Sequence, residues 1–132
     1  MEPVDLETIA QQYGIELIVE FGSFVSGHVH SRSDLDLAVL FDASVPSFEK
    51  LADLRHELGS LDPEREVDLA IINHADPLFL RKITERCRLL FGSARRLAEL
   101  RIYAFKRYQD HRRYLALERE YVHRTLQGLS EL

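Results

Sequence analysis

One cysteine, Cys87, is all the thiol chemistry available in 132 residues. An internal disulfide is excluded, and Cys87, set among apolar neighbours, reads as inert core of a protein with a reducing, cytoplasmic address. Also missing is any run of about eighteen apolar residues, so no transmembrane helix and no membrane partner are expected. The N-terminal stretch has no basic region followed by an apolar one, and a secretory signal is therefore not expected. No repeat or low-complexity segment appears, and from Ala94 to Gln127 there is neither proline nor glycine. What is left is enough chain for one domain with a modest core.

The net charge of −5 conceals an asymmetry. Residues 1–94 hold 8 Lys/Arg against 17 Asp/Glu, a balance of −9, whereas residues 95–132 hold 9 against 5, a balance of +4. Two parts so different in charge imply two jobs. Direct nucleic-acid binding fits poorly, because the basic stretch is short and the rest is acidic.

Pro3 to Tyr13 reads as a helix with Leu6, Ile9, Ala10 and Tyr13 on one stripe and Gly14 as its stop. Ile15–Phe21 and Leu35–Phe41 are apolar runs of strand length. Ser47 caps a helix to Leu58, with Phe48, Leu51, Leu54 and Leu58 directed inward and Gly59 ending it. Glu66–Ile72 reads as a third strand, and Asp76-Pro77 opens a helix that contributes Leu78, Leu80, Ile83 and Cys87 to packing. Arg88–Phe91 is a short last strand. From Ala94 a long helix follows, with one stripe of Leu97, Leu100, Ala104, Tyr108, His111, Leu115, Val122 and Leu126. A second stripe holds Tyr103, Tyr114, Leu117 and Tyr121, and the two together are wider than a helix lying on a small sheet needs. A partner surface is the expectation, against packing on its own domain or on a second copy. The expected architecture is α/β (α+β): a small mixed sheet flanked by helices in residues 1–93, then a helical extension over 94–132.

Chemistry concentrates between the first two strands. Gly22-Ser23 leaves the first strand, ten residues intervene, and Asp34-Leu35-Asp36 opens the second. Residues i and i+2 of a strand share a face, so Asp34 and Asp36 project side by side, about 7 Å apart along the backbone. Carboxylates that close repel unless a cation lies between them, and hard oxygen donors of this kind suit Mg²⁺, which completes its sites with phosphate and water. Gly22 allows backbone to approach a ligand, and Ser23 offers a hydroxyl and an amide to a phosphate oxygen. Asp68, within the third strand, joins the set if that strand neighbours the second; otherwise it is an edge-strand residue facing water. His28 and His30 have no familiar zinc spacing and read as a solvated loop, from which a histidine or Arg32 could reach a phosphate. Phe91-Gly92-Ser93 repeats Phe21-Gly22-Ser23, but no Asp-x-Asp stands ten residues later.

Gly22-Ser23, ten residues, then Asp34-x-Asp36 resembles the signature of the polymerase-β-like nucleotidyltransferases. The small size and basic, tyrosine-bearing tail resemble the minimal nucleotidyltransferases (MNT) that serve as antitoxins to HEPN-family ribonucleases. Val25 departs mildly from the alanine often found there. The resemblance implies a Mg²⁺-dependent transfer of AMP from ATP to a tyrosine of a HEPN toxin bound through the helical extension. Asp34, Asp36 and Asp68 would hold two Mg²⁺ ions and carry catalysis, and Gly22, Ser23, Asp34 and Asp36 would bind the nucleotide. A binding-only antitoxin, and an adenylyltransferase acting on a small molecule such as an aminoglycoside, are the alternatives.

Overall fold

The computed structural model describes residues 5–22 and 34–130. Within them the chain runs α1 (Leu6–Tyr13), β1 (Ile15–Phe21), β2 (Leu35–Phe41), α2 (Phe48–Gly59), β3 (Val67–Ile71), a 3₁₀ turn (Ile72–His74), α3 (Pro77–Glu85), β4 (Cys87–Phe91) and α4 (Ala94–Ser130). The strands form one mixed sheet in the order β3-β2-β1-β4. β1 pairs antiparallel with both β2 and β4, and β2 pairs parallel with β3. A parallel neighbour requires a crossover, and α2 provides it.

Local chemistry explains most boundaries. Asp5 caps α1 through the Glu7 amide, and Gly14 ends it in the left-handed region at φ 68°. Ser47 caps α2, while Asp76 and Pro77 open α3 as their side-chain chemistry predicts. Gly59 is the last residue of α2 rather than its cap; Ser60 takes that position in a right-handed conformation. Asn73 clasps the end of β2, its amide donating to Phe41 O at 3.0 Å and its Oδ1 accepting from Phe41 N at 2.9 Å.

Two apolar cores sandwich the sheet. On one face Ile18, Leu35, Leu37, Val39 and Phe41 pack against Ile9 and Ala10 of α1 and Leu54 and Leu58 of α2. On the other, Leu17, Val19, Phe21, Ala38 and Leu40 pack against Leu80 and Ile83 of α3 and Leu97, Leu100 and Ala104 of α4. Ala38 and Ala70 lie side by side in the parallel pair on this face.

Three expected core positions lie elsewhere. Phe48, the first residue of α2, is 87% exposed at the rim of the groove between α2 and β3. Leu78 is 52% exposed, and Phe79 turns inward instead, its ring edge-on to Phe21 at 5.9 Å. Cys87 is only half-buried, and its Sγ lies 3.5 Å from the Arg101 guanidinium.

α4 divides in two. Its first three turns belong to the core, each buried leucine contributing about 1.5–3 kcal/mol. Beyond Ala104 roughly 40 Å of helix remains at 1.5 Å per residue, and its Tyr114, Leu117, Tyr121, Leu126 and Leu129 are exposed. Where the helix leaves the body, Arg81 of α3 stacks on the Tyr108 ring, 4.0 Å from its centre. No helix among the described residues is long and apolar enough to cross a membrane.

Candidate active site

The site forms where β1 ends and β2 and β3 begin. A backbone bond from Leu35 N to Glu66 O, 2.8 Å, fixes the register of the parallel pair at its start. Asp36 is thereby placed directly opposite Asp68. Partners in a parallel pair share a face, so both carboxylates rise from the α3 side of the sheet. Asp68 lies on the edge strand and is exposed, Asp36 is half-buried, and Asp34 is exposed one residue before β2.

Gly22 closes the inner side. Its φ of 89° is in the left-handed region, and a Cβ there would stand 2.2 Å from Asp36 Oδ2. Only glycine lets the backbone lie this close to the carboxylate. Burial pushes the Asp36 carboxyl above its ordinary range, and the charges of Asp68 and Asp34 push it further; Lys82 and Arg65 act in the opposite sense. Without a cation, this residue resists ionisation.

An open cleft of about 880 Å³ extends from these residues to α3, bounded by Phe21, Gly22, Asp36 and Asp68 on one side and Phe79, Lys82, Glu85 and Arg86 on the other. The sequence reading passed over Lys82 and Arg86. Nothing local marks them: Lys82 sits in the last turn of α3 and Arg86 at its extended C-cap, and neither position says what stands opposite. A larger, mostly apolar groove of about 1070 Å³ runs between α2 and β3. It carries none of the three aspartates, and its Arg55 is committed to the Val67 carbonyl at 2.8 Å.

Under the opposite face, Glu20 is buried at 1% exposure, paired with Arg88 and 3.7 Å from Arg65, which also holds Asp62 at 3.0 Å. This cluster anchors the end of β1 two residues before Gly22.

The structure thus brings Gly22, Asp36 and Asp68 together with Asp34 at their margin. Ser23, His28, His30 and Arg32 lie outside the described residues. The second Phe-Gly-Ser has a structural task. Gly92, at φ 110°, passes so close to β1 that a Cβ would meet Leu17 Cδ2 at 2.5 Å and Glu16 O at 2.6 Å. Ser93 then accepts from Arg96 N at 3.0 Å and caps α4.

Among the described residues no three acidic, histidine or cysteine side chains are already gathered closely enough to hold a metal ion by themselves. The Asp34, Asp36 and Asp68 set is open and all-oxygen, with its innermost carboxyl pushed towards protonation by burial and then by the charges of its neighbours. Such a set fits Mg²⁺, which keeps water and phosphate ligands, better than a metal that needs full enclosure by protein.

Residues 5–96 match the family described as polymerase beta, nucleotidyltransferase. Among solved structures, a toxin–antitoxin with AMP-PNP superimposes with a TM-score of 0.71 at 22% identity, covering 96% of this chain and 99% of that one. A toxin–antitoxin MntA-HepT gives 0.63 at 20% identity, over 92% and 93%. The tri-AMPylated Shewanella oneidensis HEPN toxin in complex with MNT antitoxin gives 0.64 at 20% identity, over 92% of both chains. These likenesses cover more than nine-tenths of the chain, so they reach into α4, and they establish a shared fold. No curated protein matches the chain.

Proposed function

The chain belongs to the polymerase-β nucleotidyltransferase family, and on that footing we propose that it is an antitoxin that transfers AMP from ATP to a tyrosine of a HEPN-family ribonuclease. The observation that carries the chemistry is the register pairing of Asp36 with Asp68 against the Gly22 backbone. It puts two carboxylates, with Asp34 beside them, at the mouth of a cleft wide enough for a nucleotide. Asp34, Asp36 and Asp68 would hold Mg²⁺, which supplies charge neutralisation at the triphosphate and makes the acceptor oxygen more acidic.

In the transfer, the tyrosine oxygen bonds to the α-phosphorus as the bond to the β-phosphate bridging oxygen breaks, and pyrophosphate leaves. Asp68, exposed on the edge strand, receives the phenolic proton. Gly22 and Ser23 orient the β- and γ-phosphates from the turn after β1. Asp36, held at a fixed register between two neighbouring strands, sets the position of the whole group.

The macromolecular acceptor is supported by α4. A helix that leaves its own domain with tyrosines and leucines exposed has an apolar face to cover, and a helical partner suits it. The same feature favours a second reading, in which the protein neutralises its partner by binding alone. Co-expression with the partner separates the two. The partner purified with wild type should gain the mass of AMP and lose ribonuclease activity, whereas with Asp34→Ala it should stay unmodified and active once freed from the complex. A partner inhibited equally by both proteins, and never modified, would overturn the enzymatic reading.

A further inference from the structure

We infer that Lys82 and Arg86, on the α3 wall of the cleft, bind the β- and γ-phosphates of the nucleotide, so that α3 acts as the polyphosphate clamp of this site. The inference rests on the nucleotidyl-transfer reading and adds to it two residues and the part of the substrate that they grip.

The two walls of the cleft differ in net charge, two anions facing two cations and one anion. The sheet wall carries Asp36 and Asp68, and the helix wall carries Lys82 and Arg86 with Glu85 between them. Lys82 lies in the last turn of α3 and Arg86 is its C-cap, extended at φ −135° and ψ 95°, and both line the cleft. Among the described residues neither forms an ion pair, either with Glu85 or across the cleft with Asp36 or Asp68. Lys82 is nevertheless near enough for its charge to act on Asp36. A ligand spanning this gap must be negative towards α3 and positive towards the strands. A polyphosphate with its divalent cation has that polarity: the cation faces the carboxylates, and the outer phosphate oxygens face the ammonium and guanidinium. A carboxylate peptide would meet the aspartates with like charge, and a polyamine would meet Lys82 and Arg86 with like charge.

Both side chains are exposed, and the buried residues of α3 are Leu80, Ile83 and Thr84, so substitution at 82 or 86 leaves the core untouched. Cations near a helix C-terminus also interact with its dipole, a purely structural benefit that would be indifferent to the nucleotide's phosphate count.

The test is a series of binding measurements with Mg²⁺ and AMP, ADP or ATP, on wild type, Lys82→Gln, Arg86→Gln, the double variant and Lys82→Arg. Each single Gln variant should bind ATP about tenfold more weakly and the double variant about a hundredfold, as expected for losing one or two charge-assisted hydrogen bonds. AMP affinity should stay within about twofold in all of them, and Lys82→Arg should restore most of the ATP affinity. Equal losses for AMP and ATP would overturn the clamp. So would unchanged ATP affinity accompanied by slower partner modification, which would move the two cations to the acceptor. Wild type that binds no nucleotide at all would instead overturn the transfer reading, and the clamp with it.

Discussion

The Gly22 backbone and the Asp36 carboxylate occupy adjoining space so closely that a single methyl group on Gly22 would sit 2.2 Å from Asp36 Oδ2. The strand-end turn and the second aspartate of the motif are thus one unit, although thirteen positions separate them in the chain. Gly14 has a similar backbone, at φ 68°, but open space around it.

That contrast gives the first prediction. Gly14→Ala and Gly22→Ala should each destabilise the fold by about 1–3 kcal/mol, since both force alanine into the left-handed region. Only Gly22→Ala should also displace the Asp36 carboxylate, and its transfer activity should fall by about a hundredfold or more. Thermal melts beside AMP-transfer assays on both variants decide it. Equal activity of the two would break the link between Gly22 and Asp36.

A second expectation concerns stability without metal. The Asp36 carboxyl is raised by burial and by Asp68 and Asp34, so the folded state holds this proton more tightly than the unfolded chain. Linkage then makes Asp36 a destabilising residue as pH rises through and beyond the carboxylate range. Asp36→Asn should therefore melt at a higher temperature than wild type at neutral pH in EDTA. Added Mg²⁺ should narrow the gap, while transfer is lost in the variant. A lower melting temperature for Asp36→Asn in EDTA would contradict this.

Alkaline pH should act through Tyr13. Burial pushes its hydroxyl up from 10.0 to about 12, and a hydrogen bond to Glu57 with the nearby charges of Glu57 and Asp53 adds to the effect. A phenol held neutral in the folded state contributes stability fully present below pH 10 and lost as pH rises through about 12. Tyr13→Phe should be less stable than wild type at neutral pH and show a flatter decline between those values. Parallel denaturant titrations at pH 9, 10 and 11 would reveal parallel curves if Tyr13 had no such role.

The fourth prediction separates the two halves of α4. Truncation before Tyr103 would remove Ala104, which is 1% exposed in the core, and should unfold much of the α4 side. Ending the chain after Arg113 keeps Leu97, Leu100, Ala104 and the Tyr108–Arg81 contact. That shortened protein should melt within about 2 °C of the full chain and bind ATP normally, but lose complex formation with its partner. Leu117→Ser with Tyr121→Ser should weaken the complex at full length by about 2 kcal/mol or more. Normal complex formation by the shortened chain would place the docking surface elsewhere.

The first two strands, the caps at Ser47, Asp76 and Gly14, and the Gly22-Ser23…Asp34-x-Asp36 spacing were legible in the sequence. Each depends on residues close in the chain, through i, i+2 alternation, capping hydrogen bonds or a turn that only glycine tolerates. Asp68 was legible only conditionally, because its partnership with Asp36 depends on β3 lying parallel to β2. That outcome belongs to the α2 crossover and the Leu35–Glu66 bond rather than to the strand itself.

Other features had no local signature at all. Phe48 and Leu78 are apolar and helical yet exposed, and in the first turn of α3 it is Phe79 that meets the sheet instead, against Phe21. The contact of Gly22 with Asp36, the burial of Glu20 beneath them and the arrival of Lys82 and Arg86 across the cleft all join positions far apart in sequence. The sequence by itself therefore determined which groups could do the chemistry. Only the packing of β2, β3 and α3 around β1 decided which of them meet, since pleat and helix periodicity fix a side chain's direction relative to its own element and say nothing of what stands opposite.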